Sequence, residues 1–317
     1  MASPSYAYLA QIQTEIKALP YDPTRAAVIE SNDYLTNFAL PEVSARIDAF
    51  CQQSFMPYIA TNYIDADRDT IDWFRNQLML ESPLLSADSV SVADVALTQW
   101  DGVLYSEKFN KDYCLYPIGQ TPAYALQGLQ ITPAWYPAYY GSSPVTAGLI
   151  AGAVKVVGTW GYNTDYAHAW MSTGDAVADV LGINSSVTSI TVTDADGLLP
   201  DGTTPRFSPC QLIRIGTEFI AVLAVNTTTN VLTVQRGVRG STAAAHLTAA
   251  AIDLFVPDLN IVRACVRWSS YLLQRRTVFE DAKVNAQNTY VEVMPQDMPL
   301  EVRGILRQYI RPISRKV

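Results

Sequence analysis

The stretch DLNIVRACVRWSSYLLQRRTVF, residues 258–279, carries the reading on which the fold turns. Ile261, Cys265, Trp268, Leu272 and Phe279 recur at spacings of four, three, four and seven, which is the narrow apolar seam of a long helix. Asp258 stands at its N-cap and Arg275-Arg276 near its C-terminal end, both favourable to the helix dipole. A second, short helix is expected after Pro299, with Val302, Ile305, Leu306 and Tyr309 as its apolar stripe.

Working outward, the N-terminal part also has helical spacing. Leu9, Ile12, Ile16 and Leu19 form an amphipathic run ended by Pro20. Asp22-Pro23 reads as an N-cap followed by a first-turn proline, and Pro41 opens another helix with Val43, Ile47, Phe50 and Cys51 on one stripe. From Tyr58 to Tyr162 the character changes to short strand-like runs (Ser89–Val95, Tyr113–Tyr116, Val154–Val157) separated by aromatic loops. The loop Thr132–Pro144 holds Trp135, Tyr136, Tyr139 and Tyr140, too apolar a set to sit unpartnered in water. It packs under its own domain or on a neighbouring subunit, and subunit contact is favoured over stacking on a sugar ring.

Residues 183–256 read as a separate unit. Val187–Thr193, Leu212–Ile215, Phe219–Val225, Val231–Gln235 and Ile252–Val256 are short alternating runs joined by Gly, Asn and Asp turns, the pattern of a small antiparallel barrel or sandwich. The expected fold class is therefore α+β. N-terminal helices, the long helix and the short C-terminal helix make a helical core, accompanied by a β-hairpin and loop segment and an inserted all-β domain. The expected divisions are 1–182, 183–256 and 257–317, the first and last completing one core around the insert.

Charge is unevenly distributed. The whole chain is −8. Residues 1–180 have 8 Lys+Arg against 19 Asp+Glu, whereas 257–317 have 10 against 6. Arg303, Arg307, Arg311 and Arg315 recur every four residues with Lys316 beside the last, so the terminal helix presents a basic face suited to an acidic groove. An acidic body argues against broad duplex binding, in which phosphate neutralisation supplies most of the affinity. No apolar run reaches the ~20 residues needed to span a bilayer, and no basic segment followed by an apolar one opens the chain, so a cytoplasmic site of synthesis is expected. The cysteines Cys51, Cys114, Cys210 and Cys265 form no CxxC pair and are expected to be free thiols.

Motifs for chemistry are sparse. Asp65-Ala-Asp67-Arg-Asp69 begins like a calcium loop, but Thr70 and Asn76 stand where such a loop needs glycine and glutamate. His168 and His246 are the only histidines and lack zinc-site spacing. No GxSxG, Walker-A or GxGxxG stretch occurs. The expectation is a protein with no catalytic residues, no metal and no cofactor.

Several stretches taken in order carry a resemblance. They are Ser82-Pro-Leu-Leu-Ser86, Leu115-Tyr116-Pro117 shortly before Pro122-Ala-Tyr124, Val154-Lys-Val-Val-Gly158-Thr159-Trp160-Gly161-Tyr162, and the helix end Leu272-Leu-Gln-Arg275-Arg276. Together they resemble the head–tail adaptor (connector) proteins of tailed bacteriophages over about 40–180 and 257–317. Members of that family are usually shorter and lack the 183–256 segment. That segment is itself similar to a small β module of phage virion proteins, through Leu212-Ile-Arg-Ile-Gly-Thr-Glu218, Leu232-Thr-Val-Gln-Arg236-Gly237 and Gly240-Ser-Thr-Ala-Ala-Ala-His246. The resemblance implies a non-enzymatic virion protein at the neck, assembled in the host bacterial cytoplasm as a ring of about twelve copies. Its partners would be the portal protein, tail or neck proteins, and genomic DNA passing through the lumen without sequence-specific binding, with no membrane involved. The implied portal-docking residues are Val302, Arg303, Ile305, Leu306, Arg307, Tyr309, Arg311, Arg315 and Lys316. The alternative is a tail or fibre binding module whose β domain recognises glycan or another virion component.

Overall fold

A computed structural model of the chain describes residues 4–18, 34–65, 71–72, 75–92, 94–128, 154–202, 204–281 and 298–311. They form two compact units, one within Met1–Gln52 and Ala169–Arg311 and the other within Gln53–His168.

The expected α+β fold with a helical core does not hold. The described chain is mostly β, with sheets of eight and six strands and 24% helix. The cause lies in residues 58–162, where tertiary pairing joins what the sequence shows as isolated short runs into one large sheet. Its strands are β1 (Tyr58–Ile64), β2 (Ile71–Asp72), β3 (Gln77–Val92), β4 (Val95–Leu97), β5 (Gln99–Trp100), β6 (Tyr113–Tyr116), β7 (Ala123–Gly128) and β8 (Val154–Trp160). The order is β1-β8-β3-β7-β6-β5, with β2 and β4 also paired to β3. All pairs are antiparallel except β5 with β6. Leu78, Leu84, Val90, Leu126, Val156 and Trp160 are among its core residues, and the indole Nε1 of Trp160 donates to the Ala60 carbonyl at 3.0 Å. Gly158 is required where β8 meets β3, because a Cβ there would stand 2.2 Å from the Ser86 carbonyl oxygen.

The second unit combines a barrel with a helical layer. Its strands are β9 (Trp170–Ala176), β10 (Ser189–Thr191), β11 (Leu212–Ile215), β12 (Glu218–Asn226), β13 (Val231–Gln235) and β14 (Ala251–Phe255), in the order β10-β13-β12-β11-β14-β9. An antiparallel bridge between Val177 and Val192, with Ala178 N–H donating to the Thr191 carbonyl at 2.8 Å, joins the two ends of that order and closes the ring. Inward-pointing Ile190, Val192, Ile213, Ile215, Ile220, Val222, Leu232, Val234, Ile252 and Leu254 fill the interior, as a small closed barrel requires.

The helices are α1 (Leu9–Ala18), α2 (Leu40–Cys51), preceded by a π turn at Leu35–Ala39, α3 (Leu259–Asp281) and α4 (Leu300–Arg307). The α3 seam buries Ile261, Cys265 and Trp268 against α1 and α2. Asp258 caps α3 by accepting the Asn260 N–H at 2.8 Å. The layer is tied to the barrel by the Ser5 N–H, which donates to the Cys210 carbonyl at 2.9 Å, and by the Cys210 thiol, which lies 3.3 Å from the Thr36 carbonyl.

Candidate functional site

The C-terminal helix α4 packs on α2 and α3 through one side. Val302 and Leu306 are fully buried, Tyr309 is buried, and Ile305 is half-buried. The Tyr309 hydroxyl sits 3.0 Å from both the Asp258 carboxylate, to which it donates, and the Asn260 amide nitrogen, which donates to it. The Arg311 N–H donates to the Cys51 carbonyl at 3.0 Å and ends the helix on its own core. The apolar stripe therefore belongs to the chain's own interior. Arg303 and Arg307 face outward, both exposed and one turn apart, alongside the exposed Leu300 and Gln308. Beside them Glu301 takes Arg263 at 3.1 Å and Arg267 at 3.8 Å, while Arg267 also reaches Glu15 at 3.0 Å. Arg315, Lys316, Trp135, Tyr136, Tyr139 and Tyr140 lie outside the described residues.

A buried ion cluster, not anticipated from the sequence, lies in the barrel wall. Glu218 opens β12 with its side chain inside, where Arg236 meets it by two hydrogen bonds of 2.7 and 2.6 Å. The same carboxylate accepts the Gly237 and Ala244 N–H groups at 3.1 Å each and contacts His246 Nε2 at 2.8 Å. Burial alone would raise the Glu218 pKa. The hydrogen bonds from Arg236, Ala244 and His246, with the guanidinium charge, outweigh it and hold the group below the ordinary glutamate value. Arg236 also donates to the Asn184, Val187 and Ala244 carbonyls, so every member of the cluster is satisfied. The stretches 212–218, 232–237 and 240–246 thus converge on one carboxylate that fastens the loop 237–246. The available signal was that Glu218 is the only glutamate and His246 the only histidine of residues 183–256.

Asp175 is a second such anchor. Burial raises its pKa, but the N–H groups of Thr193, Asp194 and Ala176 outweigh that effect, and the value falls below the ordinary range. Arg206 pairs with it at 3.1 Å. Both clusters hold loops in place and lie in the barrel wall rather than in a cleft.

The four cysteines are free and buried. Burial pushes the Cys51 and Cys210 thiols up to about 12 and Cys265 to about 11, so they remain protonated and act as small apolar groups. Among the described residues no group of three or more His, Cys, Asp or Glu side chains is placed to hold a metal. No described helix is long and apolar enough to cross a membrane. Against known proteins, the chain matches no family model, no curated protein and no solved structure.

Proposed function

We propose that the chain is a non-enzymatic structural protein of a tailed-phage neck, an adaptor that forms a ring beneath the portal and joins capsid to tail around the path of the DNA. One observation carries the reading: α4 is locked by its apolar side and presents Arg303 and Arg307 outward on a rigid scaffold. A basic helical face fixed in this way suits an acidic portal surface. Because the helix that carries them is already packed on its own core, no segment has to fold on binding, and the ordering cost is confined to the two arginine side chains. The acidic balance of residues 1–180, 8 Lys+Arg against 19 Asp+Glu, supports a lumen through which DNA slides rather than sticks. The small closed barrel supports a virion setting through the three stretches that resemble a phage β module.

Deleting the terminal helix would strip Val302, Leu306 and Tyr309 from the core, so charge reversal is the cleaner test. The double variant Arg303→Glu/Arg307→Glu should keep the wild-type melting temperature and lose attachment to portal-bearing heads. Attachment of that variant at wild-type level would overturn the docking role. Imaging of particles that contain the protein should place it at the junction of head and tail, and its absence there would overturn the neck reading.

A further inference from the structure

Two apolar features stand open among the described residues, a projection in one unit and a recess in the other. The first is a knob at one end of the barrel. Val180 and Leu181 occupy the two central positions of a turn closed by the Gly182 N–H on the Asp179 carbonyl at 2.9 Å. They are 87% and 97% exposed, and Leu247 on the neighbouring loop is 81% exposed. This tip is held firmly. Asp179 is fastened to the Thr191 N–H and hydroxyl, at 2.9 Å each. Ile183 and His246 exchange backbone hydrogen bonds of 2.9 and 2.8 Å, and His246 is in turn gripped by Glu218. Gly182 adopts φ +69° where a Cβ would meet the His246 carbonyl oxygen at 2.3 Å. The tip also carries no free charge, since Asp179 is committed and residues 242–249 contain no ionic side chain other than His246. That composition suits an apolar protein surface rather than a phosphate backbone.

The second feature is a recess at the β5 end of the large sheet. A cavity of about 170 Å³ is lined by Trp100, Leu115 and Ile118 on its apolar side and by Gln99, Asp101 and Gln120 on its polar side. Val103, Leu104 and Ile118 stand exposed around it. A cavity of about 150 Å³ accommodates a benzene-sized apolar group, so this recess has room for a leucine side chain.

We propose that the Val180–Leu181–Leu247 knob of one copy seats in the Trp100–Ile118 recess of the next copy. The contact is heterologous, with one surface of each kind on every chain, which is the arrangement a closed ring needs. It rests on the neck reading only in naming the subunit joint of that ring. The rigid tip keeps the cost of ordering small, and burying two leucines and a valine beside an indole provides the apolar centre that interfaces concentrate in a few residues.

The test uses the full chain. Leu181→Cys in one preparation and Ile118→Cys in another are mixed and treated with a short bismaleimide. The four native thiols are buried and add little background. A cross-linked dimer should form in the mixture and not in either variant alone. Leu181→Asp, at a site almost wholly in water, should keep the wild-type melting temperature and weaken self-association by about tenfold or more, read by sedimentation. A chain that stays single at high micromolar concentration overturns the contact. Rings that form while the mixture fails to cross-link overturn the contact and leave the neck reading standing. Absence of the protein from particle necks, with the cross-link intact, overturns the neck reading and leaves the contact standing. Sedimentation of the wild-type chain, but not Leu181→Asp, with phosphatidylcholine vesicles and without cross-linking overturns it in favour of a lipid surface.

Discussion

The barrel and the large sheet solve the problem of strand edges in opposite ways. In the barrel, the Val177–Val192 bridge joins the last strand to the first, so no row of backbone donors and acceptors is left over. The sheet instead ends on β1 at one side and β5 at the other. Strand β1, Tyr58-Ile-Ala-Thr-Asn-Tyr-Ile64, has no charge and no proline, two of the usual guards against edge-to-edge pairing. Strand β5 is two residues long and borders the apolar recess. One region closes its strand edges and keeps only an apolar tip outside, while the other leaves strand edges open among the described residues. Stability and assembly are therefore expected to respond to different substitutions.

The largest effect should come from the barrel's buried clamp. Glu218→Gln leaves Arg236 charged, buried and facing a neutral amide, and breaking a buried pair from one side costs about 3–5 kcal/mol. Chemical denaturation followed in the barrel should show that loss, and a loss below about 1 kcal/mol would mean that the cluster is not the clamp described. Acid sharpens the same point. The folded-state pKa values of Glu218 and Asp175 are lowered, so the unfolded chain binds their protons first as pH falls. Their contribution is complete above the unfolded values, about 4.3 for Glu and 3.9 for Asp, and is lost as pH drops through the folded ones. The wild-type melting temperature should therefore fall steeply below about pH 4, and Glu218→Gln should flatten that limb, leaving only the part due to Asp175.

The sheet should be most sensitive at a point of contact between backbones. Gly158→Ala drives a Cβ to 2.2 Å from the Ser86 carbonyl oxygen, which belongs to the neighbouring strand and cannot rotate away. Overpacking of this kind costs about 1–3 kcal/mol. Hydrogen exchange should report it as lost protection in β3 and β8 with the barrel amides unchanged. Equal loss in both regions would show that the two do not respond separately.

These two sites also show why the sequence was only partly legible. The α3 seam was readable because a helix keeps one period throughout its length, and Ile261, Cys265 and Trp268 are buried as that period requires. Strands β11 to β14 were legible for the similar reason that short alternating runs were separated by plain turn residues. Strand β3 was not. Its register shifts between Met79 and Leu84, between Leu84 and Ser86, and again between Ala87 and Ser89. Each irregularity resets which face a side chain takes, so the alternation that would betray a sixteen-residue strand is erased. Pro83 within it reads locally as a break. The terminal helix was legible as a helix, but sequence periodicity cannot say whether an apolar stripe meets the chain's own core or another protein. Packing on α2 and α3 assigns Val302 and Leu306 to the core and leaves the arginines outside. The Glu218 cluster was hidden because its members lie 18 and 28 residues apart and meet only through strand pairing.

The smallest effect is expected where exposure is greatest. Leu247→Ser removes an apolar side chain that is 81% exposed, and the backbone holding it is fixed by the Ala250 N–H on the Leu247 carbonyl at 3.2 Å, which serine keeps. A surface change of that kind alters stability by no more than about 0.5 kcal/mol. The melting temperature of the single copy should not move, measured under dilute conditions where self-association is negligible. If it falls by several degrees, Leu247 is packed within its own chain, and the contrast between a closed barrel and an apolar tip offered to a partner fails. If it holds while self-association weakens, the leucine serves an interface, and the barrel's stability resides in its interior and its buried clamp.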